Sequence, residues 1–248
     1  MIYSKENGPG RLSKLNEEMR IRATYAKREM ENKSELYSWR HLNAIYMDYR
    51  VRAAWALSFR YAEIQDLTGR DFLDVGCGRG GWLKMLLEWG GEPSRLHGID
   101  LLEDRVARAR AISPAGMDLQ VGKASSLPYQ DHSMHLCAAS TLFSSMLDAS
   151  ARLAVAAEMV RVLAPGGWIM VFDYAVSHPR NPDTIGIGQR EIIRCFPGLR
   201  LERSFKLLFA PPLLRLFPTK LFGLAQLMED LLPFLCTHRL YLFQKGHE

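Results

Sequence analysis

The chain has 248 residues, enough for one large α/β domain with an extension. Hydrophobic residues make up 48% and charged residues 24%, as in an ordinary globular protein, and no apolar run reaches the ~20 residues of a membrane span. Formal net charge is +5, and all of it lies in residues 1–60, where 12 Lys and Arg face 7 Asp and Glu. The acids are interleaved with the bases, so a solvated helix face is favoured over an arm for an anionic partner. Cys77, Cys137, Cys195 and Cys236 form no C-x-x-C pair, which argues against a zinc site or a disulfide framework and fits a reducing compartment. The first residues lack the apolar stretch of a secretory signal, so a cytoplasmic location is expected.

In chain order, residues 1–12 carry Gly8, Pro9 and Gly10 and read as a flexible lead-in. Residues 15–61 have helical spacing, with Leu36, Trp39, Ile45, Tyr46, Tyr49, Ala53 and Leu57 recurring every three to four positions. This predicts one or two helices in an extension or lid over residues 1–62, beside a main domain of residues 63–248. From there strands and helices alternate: strand 71–75, helix 82–89, strand 96–100, helix 103–111, strands 119–121 and 135–139, helix 149–163, and strand 168–172 after Pro165-Gly166-Gly167. Strands are also expected at 201–209 and 239–244. Between them lies an insertion, 210–236, with an apolar helix over 221–232. Such alternation predicts an α/β fold with a doubly wound, mostly parallel seven-stranded sheet, whose ligands sit at the carboxyl ends of the strands.

Residues 72–83 read F-L-D-V-G-C-G-R-G-G-W-L. Gly76, Gly78 and Gly80 let the backbone turn tightly and approach a ligand, and the turn enters a helix N-terminus that favours an anion. The spacing also satisfies G-x-G-x-x-G, so a nicotinamide cofactor competes. Asp74 favours a ligand ammonium over a pyrophosphate, which it would repel. Asp100 ends the next strand, where a carboxylate accepts ribose hydroxyls.

On these residues the chain resembles class I S-adenosylmethionine (SAM)-dependent methyltransferases over 72–175. The resemblance implies a Rossmann-like methyltransferase fold, with SAM as cofactor and S-adenosylhomocysteine (SAH) as product. It assigns Asp74, Gly76, Cys77, Gly78 and Gly80 to the methionine end, Asp100 and Leu101 to the ribose, Ala124 and Ser125 to the adenine edge, and Ser140 to the donor side. Lys123 stands where this group usually carries an acid, which weakens the adenine subsite only. A narrower resemblance, over 140–148, 178–183, 210–213 and 233–238, is to methyltransferases encoded with bacterial surface-polysaccharide genes. It implies O-methylation of a sugar hydroxyl in a glycan or lipid-linked saccharide. The competing acceptors are a quinone, a lipid or another small metabolite, and a SAM-binding protein without turnover is a further reading.

Methyl transfer to a hydroxyl benefits from a base. Asp173 and His178, on the segment after the fifth strand, are the candidates, and Arg180 is a weaker anion contact. Tyr37, Trp39 and His41 are lid candidates, and His238 reads as a packing residue. No cluster has metal-ligand spacing, so no metal is expected. No N/D-P-P-Y motif follows the fourth strand, so no nucleic acid is expected. The insertion is read as buried in the core rather than lying on a membrane or lipid-linked substrate, and a homodimer is left open.

Overall fold

In the computed structural model, residues 9–30, 42–178, 181–210, 213 and 222–247 are described. The lid candidates Tyr37, Trp39 and His41, the candidate Arg180, and most of 211–221 lie outside them. Two N-terminal helices, α1 (Pro9–Met30) and α2 (Leu42–Tyr61), precede the alternating region. Residues 9–12, expected to be a lead-in, are instead the first turn of α1; proline suits that position because its missing N–H would have no helical partner.

The strands are β1 (Phe72–Val75), β2 (Leu96–Asp100), β3 (Asp118–Val121), β4 (Met134–Ser140), β5 (Leu163–Tyr174), β6 (Arg200–Phe209) and β7 (Cys236–Gln244). Helices α3 (Gly81–Glu88), α4 (Glu103–Ile112), α5 (Ala149–Val162), α6 (Gln189–Cys195) and α7 (Phe222–Leu231) connect or flank them. The sheet order is β3-β2-β1-β4-β5-β7-β6. The first five strands are parallel, and β7 runs antiparallel to both β5 and β6. This is the expected seven-stranded, doubly wound sheet.

Period-two alternation builds the two cores. Phe72, Leu136, Met170, Phe172, Leu240 and Leu242 face α2, α3, α4 and α7. Leu73, Val75, Ile169, Val171, Tyr241 and Phe243 face α5 and α6. On the first face Trp55 of α2 stacks on Trp82 of α3 at 4.4 Å. Both rings bury large area, and the pairing adds about 0.5–1.5 kcal/mol beyond it.

Two details differ from expectation and a third agrees with it. Strand β5 begins at Leu163, directly out of α5, so Pro165-Gly166-Gly167 lies within it; Gly166 takes φ 72° and its N–H donates to the Gly246 carbonyl. Helix α6, seven residues long, went unforeseen, being too short for a periodic signal. The insertion helix does dock: Glu229 of α7 is buried and accepts hydrogen bonds from Tyr46 and Arg50 of α2. Among the described residues no helix is long and apolar enough to cross a membrane.

Candidate functional site

The carboxyl edge of the parallel strands gathers most of the expected residues. The Gly76 and Cys77 N–H groups both donate to the Ile99 carbonyl, at 2.8 and 3.0 Å, which folds the turn after β1 against the end of β2. Gly76, Gly78 and Gly80 have φ values of 77°, 54° and 75°, a region glycine enters without a Cβ penalty. The Asp100 carboxylate accepts from the Gly78 N–H and the Leu102 N–H, each at 2.9 Å. It is thereby fixed at the mouth of the turn, with Leu101 beside it. Helix α3 opens at Gly80 with no side-chain cap and no acid in its first turn. Its leading N–H groups therefore present positive potential to an anion.

Asp74 is the anomaly of this edge. It is 2% exposed, and among the described residues neither carboxylate oxygen has a hydrogen-bond partner. Burial, with Asp100 nearby, pushes it from 3.8 up to about 7. A buried acid so placed calls for a donor that the described residues do not supply. Together the edge offers an unpaired acceptor, an uncapped helix N-terminus and a second carboxylate at the end of β2. This set matches the ammonium, carboxylate and ribose of SAM.

Ala124 and Ser125 sit half-buried on the loop after β3, and Ala124 packs against the core. Lys123 pairs with Glu18 of α1 at 2.9 Å. Ser140 closes β4 opposite Phe172 of β5. Thr141 follows at φ 51°, a strained backbone for a β-branched residue, held by its N–H donating to the Phe172 carbonyl at 2.7 Å.

The two expected bases have different settings. Asp173 is buried, on the sheet face opposite Phe172, and accepts from the Ser144 and Tyr174 N–H groups at 3.1 and 2.8 Å. Burial raises it to about 6 despite those bonds. Its carboxylate ties the loop after β4 to the end of β5. His178 is exposed on the segment after β5, its carbonyl accepting from the Asn181 N–H at 3.0 Å. The structure thus brings the residues expected to hold the cofactor to one edge and leaves these two apart, one interior and one on the rim.

One group was read differently in the sequence. It is the polar face of α1, read there as solvated. Glu17 accepts from the Leu147 N–H at 2.6 Å, and Arg20 donates to the Ser145 carbonyl. Thr24 reaches Asp183 at 3.4 Å, and Glu29 pairs with Arg79 at 2.6 Å and with Arg108 at 3.1 Å. The Arg105 guanidinium lies 4.1 Å from the Tyr25 ring. Helix α1 therefore lies across the loops after β1, β3, β4 and β5 and against α4. Its i,i+3 pair of Glu17 and Arg20 was a weak signal of order. His238, read as a packing residue, is 4% exposed at the start of β7, stacked on Phe172 and next to Tyr174 in the sheet.

Residues 72–167 match the protein family described as Methyltransferase domain. A demethylmenaquinone methyltransferase of Lactococcus lactis is 31% identical over 121 residues, 47% of this chain and 46% of the relative. A phthiotriol/phenolphthiotriol dimycocerosates methyltransferase of Mycobacterium tuberculosis is 33% identical over 138 residues, 52% of this chain and 46% of the relative. The chain thus spans about half the length of these curated relatives. The crystal structure of a SAM-dependent methyltransferase from Mesorhizobium loti superposes with a TM-score of 0.56 at 19% identity, over 78% of this chain and 98% of the other. The fold is the Rossmann-like methyltransferase fold, and residues 72–167 are the part of it that resembles the methyltransferase-domain family. The cofactor implied by domain and fold is SAM.

Proposed function

We propose that the chain transfers a methyl group from SAM to a hydroxyl of an apolar, ring-bearing or lipid-like acceptor. One observation carries the acceptor class. The side chains at the carboxyl end of β5 and the start of β7, with Trp82 of α3, make a nearly continuous aromatic wall. Trp82 meets Phe172 at 6.3 Å, Phe172 stacks on His238 at 5.2 Å, and His238 meets Tyr174 at 4.1 Å. Apolar ligands select such walls, whereas sugar sites offer several converging polar side chains. Here the nearby polar groups bond to the chain itself: Thr141 to the Ser140 carbonyl, Ser145 to the Thr141 carbonyl, and Asp173 to two backbone amides. The names of the Lactococcus and Mycobacterium relatives point to a quinone and a long-chain lipid. This reading departs from the sugar acceptor that the narrower resemblance implied.

Bound SAM supplies an electrophilic methyl on a sulfonium. The chain's part is to hold and orient it. Asp74 takes the ammonium, the amides at the start of α3 take the carboxylate, and Asp100 takes the ribose hydroxyls. Backbone at Ala124 and Ser125 meets the adenine edge, and Ser140 lies on the donor side. Helix α1 roofs the edge and keeps water from the sulfonium. Asp173 is a positioning residue, because its oxygens hold the Ser144 and Tyr174 amides.

The test is transfer from isotope-labelled SAM into fractionated bacterial extract, with Asp74→Ala and Asp100→Ala as controls. Label in the apolar lipid fraction, lost in both controls, supports this reading. Label in polysaccharide would restore the sugar acceptor. SAH binding without transfer to any fraction would leave a binding protein without turnover.

A further inference from the structure

We propose that the Tyr25–Glu29 end of α1 is a latch over the cofactor edge, and that it must lift off Arg79, Arg105 and Arg108 for SAM to enter and SAH to leave. The inference rests on the cofactor lying at this edge. Its first support is that α1 bridges the two flanks of the edge. On one flank Glu29 pairs with Arg79, which stands between Gly78 and Gly80 in the turn after β1, and with Arg108 of α4. The Arg105 guanidinium lies 4.1 Å from the Tyr25 ring, and its Nη1 lies 3.4 Å from where a Cβ on Gly78 would stand. Gly78 is the residue whose N–H the Asp100 carboxylate holds. On the other flank the Tyr25 hydroxyl lies 3.4 Å from Ser145 Oγ, in the loop after β4. One tyrosine thus spans the mouth between the turn after β1 and the donor side.

The second support is that the two ends of α1 are seated differently. Toward its start, Glu17 is 8% exposed and accepts from the Leu147 N–H, Arg20 donates to the Ser145 carbonyl, and Ile21 packs against the core. These contacts make an anchor. Toward its end, the side chains of Glu29, Arg79 and Arg108 are a third to a half exposed. Exposed pairs of this kind are individually weak and weaken further with salt. Met30, the last residue of the helix, is 86% exposed and adds no apolar seat. The closed arrangement also carries a cost. Arg105 Nε is enclosed and has no hydrogen-bond partner among the described residues. Water would satisfy that donor once Tyr25 moved away. The Tyr25–Glu29 end is therefore the one that opens, with the Glu17 end as its pivot.

Opening breaks two ion pairs, the Tyr25–Arg105 ring contact and the Tyr25–Ser145 contact. Its cost falls as salt screens the pairs, so cofactor exchange quickens with ionic strength. Closed, the same contacts keep the cofactor in its cradle during transfer. Cradle and cover share one residue, because Arg79 lies within the turn and holds Glu29.

Two measurements on the full chain test this, both with SAH as the probe. In the first, Glu29→Cys and Arg108→Cys are combined and joined by a bis-methanethiosulfonate bridge that a reductant cleaves; the four native cysteines are buried. Locked before SAH is added, the protein should take it up at least roughly tenfold more slowly than the unbridged variant, and locked afterwards it should release it as much more slowly. Reductant should restore both rates. In the second, Glu29→Gln should release SAH roughly 5–10-fold faster than wild type at about 0.02 M salt in stopped flow, and the two rates should converge toward about 0.5 M. Unchanged exchange in the locked protein, or release from Glu29→Gln at the wild-type rate in low salt, would overturn the latch and leave the cofactor reading in place. No SAH binding by the wild type at any salt would overturn the cofactor reading and the latch with it.

Discussion

Asp74 sits where a carboxylate is costly in the ligand-free protein. Burial raises it from 3.8 to about 7, so the folded protein holds its proton more tightly than the unfolded chain. The stabilising contribution of the protonated form is full below about pH 4 and is lost as pH rises through about 7. Asp74→Asn should therefore raise the melting temperature by several degrees at pH 8, with the gain shrinking toward pH 4, as calorimetry would record. The same substitution should abolish SAH binding, a trade of function for stability. At this scale much of the site was legible. Asp74, the three glycines and Asp100 lie within 27 residues, and a turn between strand and helix fixes their relation locally. His238 was legible as a packing residue, but its ring partners Phe172 and Tyr174 were not, because they come from another strand.

Helices α1 and α7 are held by different physics, and substitutions should separate them. Glu229 of α7 is buried between Tyr46 and Arg50, so Glu229→Ala leaves a guanidinium without its main partner. A loss of about 3–5 kcal/mol is expected in denaturant unfolding. Glu17 of α1 links the Arg20 side chain to the Leu147 amide. Burial opposes its charge, but those bonds hold its carboxyl below the usual value. Glu17→Ala should release α1 from the loop after β4. The expected signs are faster proteolysis within α1 and a KM for SAM raised by roughly tenfold, with kcat less affected. The pattern of α3 to α5 was readable because each buries one stripe on a sheet. The seating of α1 was not, because its contacts are polar and made to four separate loops and to α4. Charge alternation along a helix looks the same in sequence whether water or loops meet it.

For the whole molecule, sheet order and strand direction place the site. The turn after β1 and the end of β2 adjoin because β1 pairs with β2, and β4 brings the donor side to the other flank of β1. The alternation of strands and helices conveyed a doubly wound, mostly parallel sheet; the strand order and the antiparallel placing of β7 required the structure. A ligand that binds this edge only in the folded state stabilises the whole domain. SAH at a hundred times its Kd should add about 2.7 kcal/mol, or roughly 5–10 °C in melting temperature for a chain of this size. Asp100→Ala should remove most of that gain in a thermal melt, because it loses the ribose acceptor and frees the Gly78 and Leu102 amides.

The most direct test of the cofactor cradle is calorimetric titration of SAH into wild type and Asp74→Asn between about pH 5.5 and 8.5, a range that brackets the raised Asp74. The account predicts one site per chain, wild-type affinity that strengthens as pH rises through about 7, and no measurable binding to Asp74→Asn. Equal affinity in the two proteins, with no pH dependence, would contradict it.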